Sequence, residues 1–108
     1  MSYCTVALTP KPPFSEIAGY LAIHRDREDA VFTTLSYLDG LTFSRRIHAP
    51  ALFSVGLMDD VVLPSSVFAA YHHLAGDDTE IAVYPYNGHE GGGLRHWERQ
   101  VDWLGARL

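Results

Sequence analysis

Apolar positions along the chain follow helical spacing up to about residue 50 and then change character. Residues 1–13 are a short apolar start closed by Pro10-Lys11-Pro12-Pro13, a stiff run that cannot lie inside a helix. Ser15 predicts a helix N-cap, after which Ile17, Tyr20, Leu21 and His24 share one face. Val31, Phe32, Leu35 and Leu38 mark a second helical stripe that Gly40 is expected to stop. Phe43 and Ile47 suit one more helical turn, closing before Pro50.

From Ala51 to Leu57 the chain is nearly unbroken apolar over the length of a strand. Such a strand fits a parallel sheet with helices on both faces. A loop over 58–63 leads to Pro64, suited to a helix's first turn, and Val67, Phe68, Tyr71 and Leu74 form its apolar stripe. Gly76-Asp77-Asp78 turns the chain into a second strand over 80–84. A loop from Pro85 to Gly93 precedes a closing helix with Trp97, Val101, Leu104 and Leu108 on one face. Strand, helix, strand, helix is a βαβα unit whose crossover should be right-handed, so the fold class is α/β.

Parallel α/β sheets gather their sites at the carboxyl ends of strands. Two loops here qualify. The first, 56–64, holds Asp59 and Asp60; the second, 84–93, holds His89. An acid set against an imidazole fixes its tautomer and stabilises the imidazolium when the ring takes a proton. Acid first and histidine one βα unit later is the order α/β-hydrolases use after their serine. The bland readings are that either aspartate caps a turn, that His89 is a surface histidine, and that Gly91-Gly92-Gly93 is a flexible entry to the last helix. Glycines entering a helix can also hold an anion, but no P-loop lysine accompanies them. His72 and His73 are adjacent on a helix and point to different sides, and His89-Glu90 has no second histidine at metalloprotease spacing. Neither suggests zinc.

Composition narrows the partners. With 47% hydrophobic and 19% charged residues the chain reads as globular, and its length of 108 residues suits one domain with a modest core. A net charge of −5 argues against a nucleic-acid partner, because no basic patch beyond Arg45-Arg46 would neutralise phosphates. The one cysteine, Cys4, permits no internal disulfide and is read as an inert thiol in a reducing compartment. No run approaches the ~18 apolar residues of a membrane span, and the start lacks the basic flank of a signal peptide. The expectation is a cytoplasmic chain with no membrane partner, no cofactor and no metal.

No serine (positions 2, 15, 36, 44, 54, 65 and 66) stands in a G-x-S-x-G elbow. Ser54 has Gly56 after it but Leu52 before it, and lies within a strand. The expectation is that these residues carry an acid and a base but no acyl-accepting nucleophile.

Four blocks carry a family resemblance: Thr34–Gly40, Ala49–Asp59, Val67–Tyr71 and Tyr84–Gly93. From Pro13 to the end the chain closely resembles the C-terminal third of acetyl xylan esterase/cephalosporin C deacetylase proteins, while residues 1–12 stand outside the match. The resemblance implies an α/β-hydrolase fold, of which 13–108 would be the C-terminal piece, and removal of acetyl groups from sugar esters or cephalosporin C. It implies Asp59 as triad acid and His89 as triad base, with the serine elbow and oxyanion donors upstream. Asp60 falls where the family has no triad residue. Leu63 stands where the family usually has a second proline beside Pro64, a departure expected to alter only the loop.

Two readings follow: part of a carbohydrate acetyl esterase acting on an acetylated sugar ester, or a non-catalytic remnant serving as a structural or interaction module. Both expect Asp59 and His89 within hydrogen-bond reach. An apolar strand with one clear neighbour, unless residues 3–8 add another, also predicts self-association or pairing with an N-terminal half.

Overall fold

The computed structural model describes residues 3–108, with side chains from Thr5 onward, so the reading of Cys4 as an inert thiol lies outside the described residues. The upstream half is helical: α1 (Tyr3–Leu8), α2 (Phe14–Ile23), a 3₁₀ turn (Arg25–Arg27), α3 (Glu28–Ser36) and α4 (Gly40–Ser44). The βαβα unit follows as β1 (Ala51–Gly56), α5 (Pro64–His72), β2 (Thr79–Tyr84) and α6 (Gly93–Gly105). The strands pair in parallel, in register from Ala51 opposite Thr79 to Gly56 opposite Tyr84. The fold is α/β, as the change of rhythm near residue 50 predicts.

Strand alternation assigns the two faces of this sheet. On one, the Phe53 ring lies edge-on to Tyr71 of α5 at 5.9 Å, and the Tyr71 hydroxyl donates to the Thr79 carbonyl at 3.3 Å. On the other, α6 is fixed at both ends. Near its start His96 is buried, with Nδ1 3.1 Å from the Tyr84 hydroxyl. Burial, with the Arg99 charge, pushes the His96 imidazole below its ordinary pKa. Near its end Trp103 Nε1 donates to Glu80 at 3.0 Å. Arg107 donates to both Asp78 oxygens at 2.7 and 3.2 Å and lies over the Trp103 ring.

Three local expectations change. Residues 3–8 form α1 and add no strand. Pro13 precedes α2 and makes no side-chain cap; Ser15 lies inside the first turn, where a cap cannot sit. The stripe through Leu38 breaks at Ser36, where the backbone tightens so that Tyr37 N donates to Thr34 O and Leu38 N to Leu35 O (3.2 and 3.0 Å), beside the hydroxyls of Thr34 and Ser36 bonded back to Ala30 O and Thr33 O. Gly40 consequently opens α4 instead of closing α3, with Asp39 as the cap accepting from Leu41 N at 3.0 Å.

The apolar core among the described residues is thin: Val6, Phe14, Val55 and Ala82. The molecule is a slab of 51 × 30 × 16 Å with a radius of gyration of 16.0 Å, where a compact chain of this length has about 13 Å. Its accessible surface is 7388 Å², against about 6,000 Å² for a compact monomer of this mass.

Candidate functional site

Both candidate loops leave the carboxyl end of the sheet, and the backbone stitches them together. Leu57 N donates to Tyr84 O and Met58 N to Asn87 O, each at 3.0 Å. The approach is so close that a Cβ on Gly56 would stand 2.2 Å from the Gly88 carbonyl oxygen. Only glycine fits there. The gap that remains between the loops is one hydrogen bond wide, and Asp59 and His89 fill it.

Asp59 uses both carboxylate oxygens. Oδ1 accepts the N–H groups of Val61 and Val62, each at 2.9 Å, which fixes the side chain's direction; Oδ2 faces His89 Nδ1 at 3.1 Å. The Asp59 side chain is only 9% exposed and that of His89 is 61% exposed. Burial pushes the Asp59 carboxyl up. The N–H groups of Val62 and Val61 and the His89 ring outweigh it and hold the group below the usual carboxylate range. Asp59 is therefore an anion, and an anion opposite Nδ1 favours the tautomer with the proton on Nδ1. The other ring nitrogen, Nε2, is left as an acceptor with no hydrogen-bond partner among the described residues.

Asp60 faces elsewhere. Its carboxylate pairs with Lys11 Nζ at 2.6 Å, on the surface and away from the imidazole. Of the two aspartates left open by the sequence, the structure brings Asp59 alone to His89. No described serine is hydrogen-bonded to His89; Ser44 Oγ, for one, is committed to Leu41 O at 2.8 Å.

The glycine run is built, not slack. Gly91, Gly92 and Gly93 have φ of 54°, 93° and 49°, and a Cβ on Gly92 would meet the Tyr84 ring at 2.4 Å. Gly91 N and Gly93 N donate to Gly88 O and Glu90 O, so two of the groups an anion would need are occupied. Glu90 holds the same loop from its other side, accepting from Asn87 Nδ2 at 2.7 Å and Gly88 N at 3.1 Å. Glu90 and Gly56 are positioning residues that motif reading passes over. The available signals are Gly56 at a strand's carboxyl end and the three-residue spacing of Asn87 and Glu90. Among the described residues no three His, Cys, Asp or Glu side chains gather as metal ligands would. No helix of the described residues is long and apolar enough to cross a membrane.

The family model for acetyl xylan esterase (AXE1) matches residues 3–107, a stretch that starts ahead of Pro13. The chain belongs to the acetyl xylan esterase family. Among solved structures it is similar to the acetyl xylan esterase from Paenibacillus sp. R4, at 35% identity and a TM-score of 0.87 over 94% of this chain. It is also similar to acetyl xylan esterase 1 from Thermoanaerobacterium sp. JW/SL YS485, at 38% identity and a TM-score of 0.73 over 85% of this chain. The matches cover 33% and 30% of those two chains, so these 108 residues span about a third of the acetyl xylan esterases they resemble.

Proposed function

We propose that this chain supplies the acid and base of a serine-type carbohydrate acetyl esterase, with the nucleophile outside these 108 residues. The observation that carries the reading is the 3.1 Å Asp59–His89 pair with Nε2 left as a free acceptor. Nε2 takes the proton of a serine hydroxyl while Asp59 steadies the imidazolium that forms. The serine oxygen attacks the acetyl carbonyl, and collapse of the tetrahedral adduct expels the sugar oxygen, which takes the proton from Nε2. Water then repeats the cycle and releases acetate. The absence of a G-x-S-x-G elbow supports placing the nucleophile elsewhere. Names of the solved relatives support an acetylated xylan or xylo-oligosaccharide as substrate; cephalosporin C is a second acetyl ester to assay.

Two assays test this. The purified chain should hydrolyse 4-nitrophenyl acetate no faster than free imidazole does. A chimera in which this chain replaces the matching third of the Paenibacillus enzyme should release acetate from acetylated xylan. His89→Ala should cut that rate by about three orders of magnitude or more. A folded chimera that is as active with His89→Ala as without it would sink the assignment.

A further inference from the structure

We propose that Tyr84 and His96 are positioning residues for the acid–base pair, holding the His89 ring at its 3.1 Å from Asp59 through the glycine turn that follows His89. The inference rests on the esterase reading above and adds two residues that act through the loop, not on the reacting atoms. Tyr84 ends β2 and meets both loops. Its carbonyl accepts Leu57 N of the acid loop at 3.0 Å and Asn87 N of the base loop at 3.3 Å. Its ring lies against Gly92 of the turn beyond His89, where a Cβ would stand only 2.4 Å from it. Its hydroxyl is held at 3.1 Å by Nδ1 of His96, in the first turn of α6, and His96 N donates to Gly92 O at 3.2 Å.

The turn is seated on the sheet. Strand alternation and the parallel register put the Ser54 and Tyr84 side chains on one face. A Cβ on Gly91 would stand 2.9 Å from Ser54 Oγ, as one on Gly92 would meet the Tyr84 ring. Where the Tyr84 ring goes, Gly92 must follow. The loop's other end is fixed by Met58 N donating to Asn87 O, so only Gly88 to Gly91 lie between the two anchors. Among the described residues the His89 ring is hydrogen-bonded to Asp59 alone, and its place otherwise depends on the backbone that carries it. His96 is 6% exposed, so this support is complete within these 108 residues. Burial and the Arg99 charge keep its ring neutral, and the contact is an uncharged hydrogen bond that an amide at 96 can remake as donor or acceptor. A displacement of 1 Å at a catalytic group can cost about a hundredfold in rate, and loosening one bond of the support should cost about tenfold.

In the Paenibacillus chimera, Tyr84→Phe keeps the ring against Gly92 and removes only the hydroxyl. It should lower kcat on 4-nitrophenyl acetate about tenfold with KM unchanged, as should His96→Phe. The double variant should fall no further than either single one, because both remove the same bond. His96→Asn should recover most of the rate. In the 108-residue chain itself, the His89 ring resonances should shift in Tyr84→Phe and His96→Phe and return toward wild type in His96→Asn. Arg107→Ala frees the far end of α6; it should lower the melting temperature and leave kcat and the His89 resonances as they are. Full kcat in Tyr84→Phe and His96→Phe, unmoved His89 resonances, or an equal loss of kcat in Arg107→Ala would each overturn the proposal and leave the Asp59–His89 assignment standing. A chimera indifferent to His89→Ala would overturn that assignment and the positioning of its base together.

Discussion

Asp59 and Asp60 are neighbours with the same chemistry, yet only one of them faces an imidazole. The difference is the turn made by Val61 and Val62, whose N–H groups seize Oδ1 of Asp59 and leave Oδ2 toward His89. This sets a pH signature. The folded-state pKa of Asp59 lies below the ordinary value of about 4, so the folded chain takes up this proton later than the unfolded chain does. Stability contributed by Asp59 is complete above the unfolded value and is lost as pH falls through the folded one. Asp59→Asn should therefore cost about 1–2 kcal/mol at pH 7, with the gap to wild type closing below pH 4 in urea melts. A gap that stays constant down to pH 2.5 would contradict this. The pair was legible in the sequence because an acid and a histidine ended two consecutive strand-loop units. Gly56 was not legible, since its role exists only where the second loop crosses over it. Gly56→Ala should cost about 1–3 kcal/mol and displace the His89 ring resonances in NMR spectra, because the new methyl must push the Gly88 carbonyl away. Unshifted resonances would show that the loops are not tightly apposed.

At the scale of elements, β1 and β2 could be read from apolar runs of strand length, and α5 and α6 from apolar stripes that keep helical spacing. The upstream helices are short, and their ends follow local hydrogen bonds that a stripe does not show. The chain leaves α3 at Ser36 through tighter turns, Tyr37 N donating to Thr34 O and Leu38 N to Leu35 O, and Asp39 then caps α4. The start of α6 depends on a buried contact that periodicity does not show, that of Tyr84 with His96. Burial lowers the His96 pKa, so the folded state prefers the neutral ring. Its stabilising contribution is complete above the unfolded value of about 6.5 and is lost as pH falls through the folded value. The melting temperature should fall between pH 7 and pH 5, and His96→Phe, which keeps the ring and cannot titrate, should flatten that slope. An equal slope in the variant would assign the loss to other groups.

The whole molecule is a slab whose apolar side chains outnumber the places inside to put them. A sheet of two parallel strands covers α5 on one face and part of α6 on the other, leaving Trp97, Val101 and Leu104 in solvent. The sequence predicted this deficit from an apolar strand with one neighbour; the extent of the α6 face needed the structure, because an amphipathic pattern does not say whether its apolar side is covered. If the self-association expected of an apolar strand with one neighbour completes the core as a dimer, folding and association are linked, and unfolding one dimer releases two chains. At about 0.7 kcal/mol per residue the unfolding enthalpy of the dimer is about 150 kcal/mol, which makes the melting temperature rise by about 3 °C per tenfold increase in concentration. Calorimetry from 5 to 500 µM should trace that rise in the wild type. The Val101→Asp chain should melt at a lower temperature that does not depend on concentration. A concentration-independent wild-type transition would mean that the slab is stable with its apolar face in water, and that the exposed surface of α6 contributes nothing to holding this chain together.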